Sequence, residues 1–233
     1  MPRPSNTQPP TPNTCKAMQT VATLLKKKYA LMKFSGAWRN TFGTPAPNGV
    51  WTIQGRSGSG KTTFALQLVK YLRHLQKRVI FWSLEQCGDY GFQQAVRRAN
   101  LSKGGGVVFF GNEADAETEI MSLMERPRGY DVLIIDSLTA LHNNRPNGFC
   151  QRDFVMWQKR LADKLVVYIC HEKNGTDQLE SPAGNYIKQQ ANIKVTVVGF
   201  VAYANARAGF LDGGGEPYVI DEALANEYHL NNV

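Results

Sequence analysis

The sequence lacks several features that define other classes of protein. No apolar run approaches the length of about 20 residues that a membrane helix needs, and the first residues have no apolar core of a signal peptide. The four cysteines form no C-x-x-C pair, and the adjacent Cys170 and His171 cannot make a metal site alone. We therefore expect a cytoplasmic protein with reduced thiols and no membrane partner.

Acidic residues are absent from the first third of the chain. Residues 1–84 contain thirteen lysines and arginines, and Glu85 is the first acid. The remaining residues carry fourteen basic side chains against nineteen acidic ones, so the net charge of +8 comes from the first third. A surface of one sign favours a polyanion, because phosphate neutralisation releases counterions. This distribution predicts a nucleic-acid partner; a solvated basic surface around a nucleotide site is the alternative.

The order of apolar segments predicts an α/β fold. Residues 1–14 contain five prolines and no apolar cluster, which indicates a disordered tail before a single domain over residues 15–233. The continuous apolar runs at 132–135 and 166–170 are typical of strands buried on both faces. Alternating strands and helices predict a mostly parallel central sheet between two helical layers, with a C-terminal β-hairpin.

The boundaries of the expected elements follow from the same periodicity. We predict helices over 16–28, 62–75, 91–99, 115–124 and 152–162, and extended segments or strands over 30–38, 50–54, 79–83, 107–110, 132–135, 166–170 and 193–202. The last hairpin is expected to run through 213–215 to 220, and the residues between 171 and 192 read as a polar connection.

A phosphate-binding loop is the strongest signal. The pattern G-x-x-x-x-G-K-[ST] stands between a predicted strand and a predicted helix. Its glycines let backbone N–H groups point at phosphates, Lys61 neutralises the β and γ oxygens, and the Thr62 hydroxyl binds Mg²⁺. The motif predicts ATP and Mg²⁺ as ligands. The expected nucleotide-binding residues are Gly55, Arg56, Ser57, Gly58, Ser59, Gly60, Lys61, Thr62 and Thr63.

Two carboxylates complete the predicted site. Asp136 ends an apolar strand, where it can hold the magnesium ion together with Thr62. Ser137 follows it rather than the glutamate that is usual in AAA-type ATPases, which disfavours that class. Glu85 ends the strand after the phosphate-loop helix, where a carboxylate can deprotonate the attacking water. An ordinary loop glutamate is the alternative for Glu85.

These motifs together resemble a known family. The segment Val-Ile-Phe-Trp-Ser-Leu-Glu at 79–85 is similar to the catalytic-glutamate strand of RecA-type and DnaB-type ATPases. The segment at 133–141 is similar to the RecA-type magnesium strand. The resemblance runs from about residue 30 to the end of the chain, and in size and layout it is nearest to the single-domain RecA-core ATPases of phages and mobile elements. It implies a three-layer RecA-type fold.

The resemblance also implies two further catalytic residues. His171 stands where the family commonly has a glutamine that senses the γ-phosphate, and a backbone-bonded histidine is the alternative. Arg207 resembles the finger of DnaB-type helicases that reaches a neighbouring subunit's γ-phosphate, although Asn205 replaces its companion lysine. A solvated surface arginine is the alternative for Arg207.

RecA-type proteins place DNA loops after the magnesium strand and after the sensor residue. Here those stretches are 139–151 and 172–190, and their polar character suits single-stranded DNA or an ordinary active-site lid. The expected DNA-binding residues are Arg145, Lys173 and Lys188.

Together, the motifs predict a magnesium-dependent ATP hydrolase that acts on DNA in recombination, annealing or replication, as a homo-oligomer. Two alternatives stay open, a P-loop kinase for a small substrate and an ATP-dependent assembly switch with little hydrolysis. A kinase of this kind would carry an arginine-rich lid late in the chain, and the region after residue 175 offers only Arg207.

Overall fold

The computed structural model describes residues 21–26, 28–101, 106–173, 176–210 and 212–231. The predicted tail, residues 1–14, lies outside this part. The chain divides into two units, Met1–Ala30 and Leu31–Val233. The first contributes one described helix, α1 (Val21–Lys26), and the second contains the sheet and all the other described elements.

The second unit contains helices and strands that alternate along most of its length. Its strands are β1 (Gly49–Gly55), β2 (Val79–Ser83), β3 (Val107–Phe110), β4 (Val132–Asp136), β5 (Leu165–His171), β6 (Ile193–Val198), β7 (Val201–Ala206) and β8 (Tyr218–Val219). Its helices are α2 (Gly36–Phe42), α3 (Lys61–His74), α4 (Tyr90–Arg98), α5 (Ala116–Glu125), α6 (Leu138–Asn143), α7 (Gln151–Arg160), α8 (Gly184–Gln190) and α9 (Glu222–Asn231).

The strands form one sheet in the order β3-β2-β4-β5-β1-β6-β7-β8. Strands β1 to β6 are parallel to one another. Strand β7 pairs antiparallel with β6, and β8 pairs antiparallel with β7. The carboxyl ends of the parallel strands therefore meet at one edge of the sheet, and we call this the catalytic edge. Two strands end there in candidate site residues, β4 in Asp136 and β5 in His171. The phosphate loop follows β1 at the same edge, and Glu85 follows β2.

Alternate residues of the central strands enter two separate cores. Along β4, Val132 and Ile134 pack on one side of the sheet, and Leu133 and Ile135 pack on the other. This period of two is what a doubly covered strand requires. The first side packs against α2, α3 and α4, and the second packs against α5, α6, α7 and α8. We call them the α3 face and the α7 face.

The structure confirms the predicted fold class, a mostly parallel sheet between helical layers with a C-terminal hairpin, formed by β7 and β8. The helix α3 has its apolar residues at the predicted spacing, with Ala65, Leu68, Val69 and Leu72 buried. In the described residues no helix is long and apolar enough to cross a membrane.

Four details differ from the predictions. The strand predicted over 193–202 is wrong, because the chain reverses at Gly199 and Phe200, both with positive φ, and forms β6 and β7. The extended segment predicted to Trp38 is wrong at its end, where α2 begins at Gly36. The loop stretches contain α6 and α8. Sequence periodicity also missed α9, which has weak amphipathic character.

Candidate functional site

The chain turns sharply between β1 and α3, where the predicted phosphate loop lies. Gly60 precedes α3 with a φ of 101°, in the left-handed region that favours glycine. A Cβ there would lie 2.8 Å from the Phe200 ring, so a larger residue would collide with it. Since α3 begins at Lys61, its free backbone N–H groups point into the loop. Loop and helix start together form an anion-binding site.

Lys61 is buried at the base of this loop. Its side chain is held by two loop carbonyls, with Nζ donating to Gly55 O at 2.9 Å and to Arg56 O at 2.7 Å. Burial lowers the pKa of Lys61, and the nearby carboxylates of Asp136 and Glu85 oppose that shift. The ammonium is therefore positioned by backbone groups and lies within the field of two acids.

Thr62 and Asp136 meet at the catalytic edge. The Thr62 hydroxyl donates to Asp136 Oδ2 at 2.9 Å, which joins the first turn of α3 to the end of β4. Only 4% of Asp136 is exposed, and burial raises the pKa of its carboxyl to about 6. A hydroxyl and a carboxylate are hard oxygen ligands, so this pair fits the chemistry of Mg²⁺.

Glu85 is held through one of its two carboxylate oxygens. Ser137 Oγ donates a short hydrogen bond to Glu85 Oε1, and His171 Nε2 lies 3.3 Å from the same oxygen. The hydrogen bond from His171 is the main cause that lowers the pKa of Glu85, while partial burial opposes it. The ionised form of Glu85 is therefore favoured, and its contacts with Ser137 and His171 both involve Oε1.

Ser137 was not among the predicted site residues, although it follows the predicted magnesium ligand. Its side chain is fully buried, and its Oγ also accepts from the Ala140 N–H at 3.3 Å, which caps α6. The hydroxyl thus links a helix start to the carboxylate of Glu85. The sequence signal that could have identified it is its position, a serine directly after Asp136 where AAA-type ATPases usually have a glutamate.

Arg207 lies far from the phosphate loop of its own chain. It follows β7, which runs antiparallel to β6, and its backbone N–H donates to Asn192 O just before β6. Residues 193–198 separate that point from the catalytic edge, a distance of roughly 20 Å along the strand. The exposed side chain of Arg207 thus stands at the opposite edge of the sheet.

Arg145 is neutralised within the chain rather than offered to a partner. It forms ion pairs with Glu117 at 2.9 Å and Asp153 at 3.2 Å. Its guanidinium carbon lies 5.3 Å from the centre of the Phe149 ring, and that ring is completely buried. Arg145 thus links α5 to α7 through its ion pairs. Its DNA-binding role stays a prediction, and the charge of its guanidinium is already balanced by two acids.

The other two predicted DNA-binding lysines differ from each other. Lys188, on α8, donates to Asp177 Oδ1 at 2.6 Å and to the Asp177 carbonyl at 2.9 Å. Lys173 is exposed, and its backbone carbonyl accepts hydrogen bonds from Thr176. Residues 174 and 175 lie outside the described part of the chain. Lys188 is therefore paired with an acid, whereas Lys173 is exposed.

Two cavities adjoin the phosphate loop. The first, of about 530 Å³, is lined by Arg56, Ser57, Gly58, Ser59, Glu172, Val197, Val198, Gly199 and Tyr228. The second, of about 780 Å³, begins at Thr63 and follows the outer surface of α3. The first is large enough for a phosphate chain beside the loop.

Comparison with solved structures identifies the fold. The chain superposes on the flagellar accessory protein FlaH from Methanocaldococcus jannaschii with a TM-score of 0.54 and 16% identity, over 82% of this chain and 97% of FlaH. It superposes on a KaiC-like protein from Pyrococcus horikoshii OT3 with a TM-score of 0.56 and 14% identity, over 82% and 93% of the two chains. No family model and no curated protein matches its sequence. The fold is that of the RecA-type P-loop ATPases.

Proposed function

We propose that the protein is a magnesium-dependent ATP hydrolase. One observation supports this most: Lys61, the Thr62–Asp136 pair and an ionised Glu85 converge at one edge of the sheet. A phosphate-binding cation, a hydroxyl–carboxylate pair and a general base are the parts that phosphoryl transfer to water needs.

Each group has a distinct part in the reaction. The N–H groups at the start of α3 and the ammonium of Lys61 bind the β- and γ-phosphates. When bound, Mg²⁺ would be held by Thr62 and Asp136 and would supply charge neutralisation. The water oxygen bonds to the γ-phosphorus while the bond from phosphorus to the bridging oxygen of ADP breaks, and Glu85 Oε2 takes the water proton. His171, beside Glu85, holds the base in place and could sense the γ-phosphate.

The position of Arg207 favours hydrolysis over the kinase alternative. After residue 175 the chain has no other arginine, and Arg207 stands at the opposite edge of the sheet from the phosphate loop. It therefore cannot close over a substrate in its own site. An arginine so placed can reach a γ-phosphate only in another copy of the chain, which supports the proposal of a homo-oligomer.

The test of the hydrolase is phosphate release from ATP with and without Mg²⁺. Lys61→Ala should abolish turnover, because the ammonium contributes phosphate charge and bonds only loop carbonyls. Lys159→Ala, at an exposed position of α7, is the matched control and should keep full turnover. Unchanged turnover in a folded Lys61→Ala variant would overturn the proposal.

The oligomer has its own test. We expect specific activity to rise with protein concentration, and mixtures of Arg207→Ala with Glu85→Gln to regain activity at interfaces where both wild-type residues meet. Flat activity together with no recovery on mixing would show that the site works in one chain.

We further propose that the partner is nucleic acid, single-stranded DNA in the first place, on the basis of the acid-free first third of the chain.

A further inference from the structure

The outer surface of α3 and α4 is basic and has no acid of its own. Helix α3 carries Lys70, Arg73 and His74 after its first turn, and α4 ends in Arg97 and Arg98. Neither helix contains an aspartate or a glutamate. A surface on which basic side chains predominate attracts an anionic partner.

These two helices enclose the 780 Å³ cavity, which we call the α3–α4 cleft. Lys70, His74 and Arg98 line it, and its aromatic wall is formed by Trp38, Tyr71 and Tyr218. The Trp38 ring stacks on Tyr71 with centroids 4.9 Å apart, and Tyr218 lies 4.6 Å from Trp38. Asp221 is the acid in its lining, and its carboxylate accepts from the Leu224 N–H at the start of α9.

Two basic side chains of the cleft have no acidic partner among the described residues. Neither Lys70 nor Arg98 forms an ion pair there. Both side chains are exposed. Lys70 and Arg98 therefore offer positive charge to a partner, unlike Arg145 and Lys188, which pair with acids.

We propose that the α3–α4 cleft binds single-stranded nucleic acid, an inference that rests on the proposed nucleic-acid partner. Lys70 on α3 and Arg98 on α4 both line the cleft, so each can contact phosphates of one backbone. The aromatic side chains in the lining are of the type on which bases stack in single-strand sites. A concave site suits one strand better than a duplex, because a duplex is read by elements that protrude into its grooves.

A membrane surface fits the cleft less well. In the described part of α3 no large hydrophobic side chain is exposed, and α4 exposes only Tyr90, at its other end from Arg98. Membrane-surface helices pair a basic face with exposed apolar side chains that enter the lipid. The chemistry of the cleft is therefore that of a polynucleotide rather than a lipid headgroup layer.

The cleft also reaches the nucleotide site. Thr63, next to the magnesium ligand Thr62, lines its upper end together with Phe200, whose ring packs against Gly60. A strand bound along α3 would thus contact the same helix whose first turn holds phosphate. This arrangement gives nucleic acid a direct route to influence ATP turnover.

The experiment compares two double charge reversals. Lys70→Glu with Arg98→Glu changes the cleft, and Arg152→Glu with Lys159→Glu makes the same charge change at exposed positions of α7. Binding of a fluorescein-labelled oligo(dT) of about 30 nucleotides is followed by anisotropy at several salt concentrations. We expect the cleft variant to bind about tenfold or more weakly than the control, with a salt slope lower by about two. Turnover of ATP without DNA should be unchanged in both.

Five results would overturn the inference. Equal losses in both variants would show a general charge effect, and loss only in a Lys173→Glu variant would place the strand at the 172–190 stretch. Equal binding of poly(glutamate) would show a site for any polyanion, and a raised KM for ATP in the cleft variant would assign the cleft to the nucleotide. If wild type binds no DNA but hydrolyses ATP, the nucleic-acid partner fails and the hydrolase stands. Melting temperatures verify that the variants are folded.

Discussion

The two faces of the sheet have similar interiors and opposite surfaces. Both cores consist of fully buried aromatic and aliphatic side chains. On the α3 face, α3 and α4 carry basic residues and no acid. On the α7 face, Arg145 pairs with Glu117 and Arg160 pairs with Glu125. The charge asymmetry of the sequence contributes to this difference, because α3 precedes Glu85, whereas α4 and the α7-face helices follow it.

This difference separates two kinds of positive charge. A cation that holds two helices together contributes to stability and is not available to a partner. A cation without a carboxylate neighbour contributes little to stability and is available for binding. The loop positions that the family resemblance implies cannot distinguish the two kinds, and the DNA-binding residues expected there include the paired Arg145 and Lys188 together with the exposed Lys173.

The largest expected effect tests whether the interiors are equal. Phe64 on α3 and Phe154 on α7 are both almost fully buried. We expect Phe64→Ala and Phe154→Ala each to lower the free energy of unfolding by about 3–5 kcal/mol, through lost burial and the cavity left behind. Urea unfolding measures both. If either substitution lowers the free energy of unfolding by less than about 1 kcal/mol, the core on that face is loosely packed and the two interiors are unequal.

The next effect contrasts a paired cation with an unpaired one. Arg145→Ala removes two ion pairs that are about a quarter exposed and should cost about 1–2 kcal/mol of unfolding free energy, well below the cost of breaking a fully buried pair. Lys70→Ala should change it by less than about 0.5 kcal/mol, as for other surface positions. Thermal unfolding of both variants checks this. Equal costs would remove the distinction between the faces.

A smaller effect concerns the point where the α7 face reaches the catalytic edge. Ser137, at the start of α6, donates to Glu85 and so helps to keep its pKa low. The general base must be ionised, so turnover is lost as pH falls through the pKa of Glu85. In Ser137→Ala that pKa rises, and the acidic limb of the kcat profile should move to higher pH. Glu85 also loses the hydroxyl that orients it, so kcat at neutral pH should fall by about tenfold.

Two further variants distinguish this role from capping of α6. Ser137→Thr keeps a hydroxyl and should restore both kcat and the position of the acidic limb. In a Glu85→Gln background, Ser137→Ala should have no further effect on turnover yet keep its effect on stability. An acidic limb that does not move in Ser137→Ala would make Ser137 a purely structural residue.

The sequence predicted those parts of the molecule that depend on local patterns. The phosphate loop and the strand ends at Glu85 and Asp136 lie where continuous apolar runs and a glycine motif placed them. The reversal at Gly199 and Phe200 was missed because apolar residues continue through it from Val195 to Ala202. The pairing of Arg145 was missed because Arg145 lies in the loop between α6 and α7, and its partners Glu117 and Asp153 lie on α5 and α7, which the tertiary fold brings together. The roles of the site residues stay predictions.

The smallest expected effect sharpens the contrast between the two surfaces. On the α7 face, Arg160 Nε donates to Glu125 Oε1 at 2.6 Å, and both side chains are about two fifths exposed. Because solvent screens such a pair, Glu125→Gln should cost only roughly 0.2–0.5 kcal/mol. The hydrogen bond from Arg160 lowers the pKa of Glu125 below its usual 4.5. Its stabilisation is therefore present above that pH and lost as pH falls through the lower folded value.

The matched variant on the other surface is Arg97→Gln, which removes one cation beside Arg98 on α4. Since no acid of α3 or α4 opposes these cations, the change should leave stability unaltered or raise it slightly, and added salt should reduce the difference. Differential scanning calorimetry at low and high salt, at pH 7 and pH 4, compares the two variants. A loss of stability in Arg97→Gln as large as in Glu125→Gln, with the same salt dependence, would mean that Arg97 has an anionic partner and that the α3 face is neutralised like the other.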